Sequence, residues 1–352
     1  MPADYELALE VVDRIRQIWQ AEPSCLRWMG DISPKAMNAE GYGFDWWPGQ
    51  YCVSLRVNGP HPNDRNSDDP MFRVSLRTPL VLNADISAPG FYERLVEANT
   101  LMPSFALLTA PTDMVARIGG DPRRRPLWLG STGYMNWHNG ANSADMFARL
   151  GMLQPTEAEA RGEEHAELLG GRPAIDTASS PSAGASRQED VFDLEDKLAH
   201  SAGEPDFALA EAEFPELAAL WNQTPNITAR VDDARLSLEF EFSDDAGAYI
   251  VLRRDLDHNS LGFGLVGILT LPATFPAHAA AEQANTLNFS ESSRWNMHWP
   301  AFLGHWTTVD AGDDLFQLRY ISFVPRTYDG PDVAGPMLLD MIGRIFWLND
   351  TF

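Results

Sequence analysis

His298 and His305 stand seven residues apart, on either side of Trp299-Pro-Ala-Phe-Leu-Gly304, and Asp310, Asp313 and Asp314 follow closely. Imidazoles and carboxylates are the raw material of a metal site. A spacing of seven suits one helical face, but Pro300 and Gly304 interrupt a helix there, and no HExxH, HxH or cysteine pair accompanies them. The expectation is a loop histidine in an aromatic packing cluster, with no metal. Asn63-Asp-Arg-Asn-Ser-Asp-Asp69 lacks the acid spacing, glycine and closing glutamate of a calcium loop. Gly119-Gly-Asp-Pro-Arg-Arg-Arg125 is the strong basic cluster of the chain. Three adjacent guanidinium groups suit phosphate or a carboxylate-rich partner, including acidic segments of the same chain, and an exposed hairpin turn accounts for them as well. No P-loop, GxGxxG or G-x-S-x-G occurs, so no nucleotide cofactor or serine nucleophile is expected.

Aromatic residues carry more signal. Trp46-Trp47-Pro-Gly49 follows Tyr42-Gly-Phe44 in a glycine-rich loop, and Trp295, Trp299 and Trp306 crowd a comparable later region. Exposed tryptophan and tyrosine anchor protein interfaces. The same rings can instead fill a contact between two parts of one chain. Trp46, Trp47, Trp299 and Arg124 are the residues expected to touch a partner.

The whole chain sets the frame. Its 352 residues suggest about two domains. Its net charge is −24 and its pI about 4.6. That argues against nucleic acid and against an anionic membrane surface as partner. Cys25 and Cys52 are too few for a disulfide scaffold. No apolar run reaches the roughly 18 residues of a spanning helix, and the N-terminus lacks a signal-peptide core, so a cytoplasmic protein is expected.

Three anchors recur in order. Ile18-Trp19-Gln20-x-x-Pro23 matches Leu220-Trp221-Asn222-x-x-Pro225. Ala98-Asn99-Thr100-Leu101 matches Ala284-Asn285-Thr286-Leu287. Asp145-Met146-Phe147-x-Arg149-Leu150 matches Asp340-Met341-Ile342-x-Arg344-Ile345. Internal repetition decides the fold, so it is weighed first. Residues 155–203, rich in Ala, Glu, Ser and Gly, read as a flexible acidic linker between a first copy, 1–154, and a second copy, 204–352.

Each copy opens with an amphipathic helix, stopped at Pro23 in the first and ending at Pro225 in the second, with Trp19 and Trp221 near its end. Strands are expected at 26–32, 50–57 and 72–82, and at 227–231, 236–242, 248–253 and 263–271. A middle helix covers 91–99 or 277–286, with the repeated Asn as a left-handed C-cap. Two strands follow, at 105–108 and 127–137 or at 306–309 and 315–324. A last helix covers 143–153 or 336–348. This is α+β, with the unit α-β-β-β-α-β-β-α present twice around antiparallel sheets.

The opening helix ending Ile18-Trp19, the middle helix ending Ala98-Asn99-Thr100-Leu101, and Leu318-Arg-Tyr-Ile-Ser-Phe-Val324 leading into a final helix give an order that resembles the type III secretion chaperone-like fold, including the YbjN family of bacterial proteins. The resemblance implies a non-enzymatic, chaperone- or adaptor-like protein that binds a polypeptide. It also implies an intramolecular pseudo-dimer, where relatives with one unit form homodimers. The acidic surround favours basic or neutral partners. The alternative from another class is a small-ligand-binding protein or enzyme using the groove between the copies. A third reading is an immunity-type protein that masks a basic target.

Overall fold

Strict alternation in Leu236-Ser-Leu-Glu-Phe gives a strand with one wet and one buried face, and the same two-residue period recurs through most of the chain. The computed structural model describes residues 17, 35–38, 41–46, 51–60, 72–100, 102, 105–110, 121, 123–135, 153–175, 205–241, 247–258, 262–293, 304–326 and 333–349. The opening helix of the first copy, its strand at 26–32 and its final helix at 143–152 lie outside them.

The first half runs β1 (Lys35–Asn38), β2 (Gly41–Trp46), β3 (Val53–Pro60), β4 (Phe72–Asp85), α1 (Phe91–Thr100), β5 (Ala106–Leu108), β6 (Arg124–Met135), α2 (Leu153–Leu168) and β7 (Arg172–Pro173). The second runs α3 (Phe207–Trp221), β8 (Ile227–Asp232), β9 (Arg235–Glu241), β10 (Gly247–Arg253), β11 (Asp257–His258), β12 (Gly262–Pro276), α4 (Ala277–Ser293), β13 (Gly304–Gly312), β14 (Leu315–Pro325) and α5 (Ala334–Asn349). The strands form two antiparallel sheets. Their orders are β1-β2-β3-β4-β6-β5 and β8-β9-β10-β12-β14-β13, with β7 added beside β4 and β11 beside β12. The α+β class with antiparallel sheets is thus observed.

Three local expectations change. Residues 41–46, read as a loop, are a strand: Tyr42, Phe44 and Trp46 fall at every second position, and β2 pairs in register with β3 from Tyr42 opposite Val57 to Trp46 opposite Val53. Residues 153–168, which include the start of the expected linker at 155, form α2. Alanine and glutamate are strong helix formers, and Gln154, Glu157, Ala158, His165 and Ala166 are buried against the first sheet. Residues 176–203 of that linker lie outside the described residues. Finally, α4 runs past Asn285-Thr286 to Ser293. Thr286 bonds back to the carbonyl of Glu282 (2.9 Å), so the pair continues the helix rather than capping it. Asn99 does lie at a helix end, but it is not among the described residues with a left-handed backbone.

In the second half the helices form one layer. The N-cap Asp206 accepts from the amide of Leu209 (3.0 Å) and starts α3, which lies on β8 and β9. Arg254, buried, holds α3 through Glu213 (2.7 Å). Beside α3, α5 covers β10 and β12, and α4 covers β12, β13 and β14. Helix α5 rides closest at Gly267, where a β-carbon would meet Met337 and Met341. One apolar cluster runs through both halves, from Tyr51 and Leu55 through Leu107 to Leu265 and Leu348.

Candidate functional site

The site is built on α5, whose sequence Ala334-Gly-Pro-Met-Leu-Leu-Asp-Met-Ile-Gly-Arg-Ile-Phe-Trp-Leu-Asn349 holds two charges in a long apolar run. A surface helix ordinarily buries its apolar stripe and exposes its charges. Here the arrangement is inverted. Asp340 and Arg344 are buried to 2 % and 1 % exposure, whereas Leu339 and Phe346 are exposed to 52 % and 63 %. Pro336 is exposed too, and Gly335, Gly343 and Trp347 are half-buried. Every outward position of α5 whose side chain is described is therefore uncharged. Pro336, Leu339, Gly343 and Phe346 follow a spacing of three or four and so share one face. Gly343, with no side chain, leaves a notch between Leu339 and Phe346.

A buried charge network holds the helix this way round. Arg344 meets Glu291, near the end of α4, through Nε and Nη2, both at 3.2 Å. Its Nη1 donates to the Asp340 carboxylate, one turn back, and its Nη2 donates to the Tyr320 hydroxyl (2.7 Å). The guanidinium also lies 3.7 Å from the centre of the Tyr320 ring. Trp306 donates from Nε1 to Glu291 (2.6 Å), and its ring packs on Tyr320. Rotating α5 to hide Leu339 and Phe346 would expose these charges and break three hydrogen bonds, two from Arg344 to Glu291 and one to Tyr320, together with the guanidinium–ring contact. The helix cannot turn its apolar face inward.

Two carboxylates share this one guanidinium. Burial pushes the Asp340 pKa up to about 7, with Arg344 opposing and Glu291 adding to the rise. Asp340 Oδ1 has no hydrogen-bond partner among the described residues. A pKa raised above its unfolded value of ~3.9 gives stability that is complete below pH ~4 and lost as pH rises through 7. On the opposite face of the sheet, His305 works the other way. It is wholly buried, and neither ring nitrogen has a hydrogen-bond partner among the described residues. Desolvation, helped by His258, pushes its pKa down to about 3. The unfolded chain takes up that proton near pH ~6.5, so stability falls below this value, by about 2 kcal/mol at pH ~5. His305→Phe should therefore flatten the acid side of a Tm-against-pH curve and Asp340→Asn the neutral side. Curves parallel to that of the parent chain would assign the titrations elsewhere.

At three edge strands one residue is capped by an asparagine side chain. In an exposed edge strand, unpaired N–H and C=O groups attract another strand. Here asparagine side chains occupy them, each accepting from the N–H and donating to the C=O of one residue. Asn99 serves Leu107 on β5 (2.6 and 2.9 Å). Asn222 serves Ala229 on β8 (2.8 and 3.0 Å). Asn288 serves Trp306 on β13 (2.7 and 2.9 Å). Asn285 reaches from α4 in the second half to Thr109 in the first, with both bonds at 3.1 Å. Asn288, one helical turn beyond Asn285, thus does for Trp306 what Asn99 does for Leu107. Around Asn285 the halves meet through Thr100 and Thr307 (3.0 Å between hydroxyls) and through Trp128 against Phe289.

The residues singled out from sequence fall elsewhere. Trp46 ends β2, opposite Val53 on β3. Trp47 and Trp299 lie outside the described residues, as does His298. Arg124 opens β6, exposed, and its guanidinium meets Asp85 (3.4 Å) and the carbonyl of Asn83 (3.1 Å). Its neighbour Arg125 is buried, donating to the carbonyl of Ala110 (2.5 Å), so the three arginines do not form one exposed patch. Trp306 is core. Asp310, Asp313 and Asp314 are exposed at the β13–β14 turn, and no group of three or more His, Cys, Asp or Glu able to hold a metal occurs among the described residues. No described helix is long and apolar enough to cross a membrane. Sequence reasoning missed the outer face of α5. The signal was available: two opposite charges four residues apart in an otherwise apolar helix mark a buried pair, and the remaining apolar positions are too many for one inward face.

No family model, no curated protein and no solved structure matches the chain.

Proposed function

We propose that the protein is a polypeptide-binding module, chaperone- or adaptor-like, whose contact surface is the outward face of α5. The observation that carries this reading is the inversion of α5: its charges are locked inside and its apolar stripe is held outside. Isolated exposed apolar residues need no explanation, but a stripe at helical spacing marks an interaction surface. An asparagine caps one residue on each of β5, β8 and β13, which makes those edges poorer templates for an added strand and favours a helix face as the docking surface.

The same reading takes the two halves as tandem copies packed as an internal pseudo-dimer. The equal strand orders, the repeated anchors and the placing of α1 against α4 at the junction support it. So does the resemblance to the type III secretion chaperone-like fold.

The test is a photo-crosslinking amino acid at position 346 in the full chain inside cells, with Arg230, exposed on β8, as the control position. A discrete adduct with a polypeptide at 346 and none at 230 is expected. Equal labelling at both positions, or none at 346, would sink the proposal.

A further inference from the structure

Helices α3, α4 and α5 cover one side of the second sheet. On the other side α1 of the first half meets β13, where Thr307 donates to the carbonyl of Val96 (3.4 Å). Further into that side, pairing sets Arg319 on β14, Thr270 on β12 and Tyr249 on β10 in one row across three neighbouring strands. Tyr320, Leu269 and Ile250, each one residue along, are core, so alternation turns the row away from the helices. All three side chains are partly exposed. Arg253, Arg254, Arg326 and Arg344 of this half each meet a carboxylate. Arg319 meets none among the described residues. Its Nε is buried without a hydrogen-bond partner, and burial disfavours its charge with no neighbouring charge to offset it. Glu239, opposite Tyr249 on β9, is the acid of the row and stands three strand spacings, about 14 Å, from Arg319. A half-buried guanidinium that pairs with none of the acids around it calls for a counter-ion.

Two hydroxyls extend the row beyond Arg319. Arg235 Nη2 donates to the Tyr249 oxygen (2.6 Å), which leaves the Tyr249 proton to donate elsewhere. Thr270, short between two long side chains, is the floor between them. The next row, Val251, Ile268 and Ile321, is apolar and spans about 10 Å. We propose that this face binds a carboxylate with an apolar body: the carboxylate meets Nη1 and Nη2 of Arg319 and the hydroxyls of Thr270 and Tyr249, and the body lies along Val251, Ile268 and Ile321. Arginine's planar fork suits a carboxylate, and a few placed polar groups beside an apolar lining make a ligand site. Inorganic phosphate would leave the apolar row unused, and its second charge would be repelled more strongly by a chain of net charge −24. A small aliphatic acid and the carboxyl end of a polypeptide with an apolar last residue share this chemistry. The site lies across the sheet from α5 and does not depend on the reading of α5.

The test is calorimetric titration of the full chain with octanoate, octanamide, inorganic phosphate, and a leucine-ended hexapeptide whose C-terminus is free or amidated. Octanoate or the free-ended peptide should bind one to one, and octanamide, phosphate and the amidated peptide at least tenfold more weakly. Whichever carboxylate binds more tightly identifies its source, a small acid or a polypeptide end. Arg319→Gln should weaken that binding at least tenfold and leave the Tm of the ligand-free protein unchanged or higher, because the charge it removes is uncompensated. Tyr249→Phe should weaken it severalfold. Arg230→Gln removes an exposed charge at the β8 edge of the same face and should leave it unchanged. Binding that survives Arg319→Gln, or that falls equally in Arg230→Gln, would overturn the proposal. So would phosphate or octanamide binding as tightly as the carboxylate, and so would binding by neither carboxylate probe. A Tm lowered by Arg319→Gln would mean that the charge is already compensated and would overturn it too.

Discussion

Arg344→Met is expected to destabilise the protein by about 3–5 kcal/mol, the range for removing one partner of a buried ion network. Methionine fills much of the arginine's volume, so packing is nearly conserved and the loss is electrostatic. Glu291 and Asp340 remain behind, with Tyr320 and Trp306 the polar groups still facing them. Asp340 can escape by holding a proton, which Glu291 near it already encourages. The loss should therefore be larger at pH 8 than at pH 6. Urea unfolding at the two values measures this. Adding Asp340→Leu and Glu291→Gln to Arg344→Met should restore most of the stability, because an apolar core of similar volume is no worse than a compensated ion network. A single Arg344→Met variant as stable as the parent chain would show that the network does not hold α5. The exposure of Leu339 and Phe346 would then need another cause.

Asn285→Leu should cost about 2–4 kcal/mol. Leucine matches the shape but offers neither bond, so the N–H and C=O of buried Thr109 both lose their partner, at about 1–3 kcal/mol for each orphaned group. Asn222→Leu is the control. Asn222 makes the same two bonds on β8 but is itself exposed, so water replaces it and the cost should stay near 1 kcal/mol. The two variants differ in burial, not in bond count. Equal losses would mean that the bonds, rather than the sealed environment, set the energy. The Asn285 variant should also lose the coincidence of unfolding transitions followed separately in the two halves, since this pair of bonds joins them.

Much of the fold was legible because burial leaves a period in the sequence. In the second half, β8, β9, β10, β13, β14 and α5 fall within three residues of their expected ends, since alternation and apolar stripes are local. What was illegible depended on partners far away in sequence. The end of α4 is one case: Asn285 looks like a stop signal until its bonds to Thr109 are known. Strand β2 is another, because two glycines among its aromatics suggested a loop, and pairing with β3 overrides that preference. The site was the least legible part. Tryptophans drew attention because of their size, and Trp306 proved to be core. The Asp340–Arg344 pair was noticed as a repeat, but its meaning needs Glu291, which comes from another helix.

The clasp from Asn285 also bears on modularity. The two sheets share no strand and would pass for interchangeable parts. Yet the second half completes an edge of the first, and Thr307 donates to the carbonyl of Val96 across the same seam. A recombination event or proteolytic cut that kept only the first half would leave Thr109 bare on a sticky strand. What can be inherited, moved or expressed as a unit is therefore the joined pair.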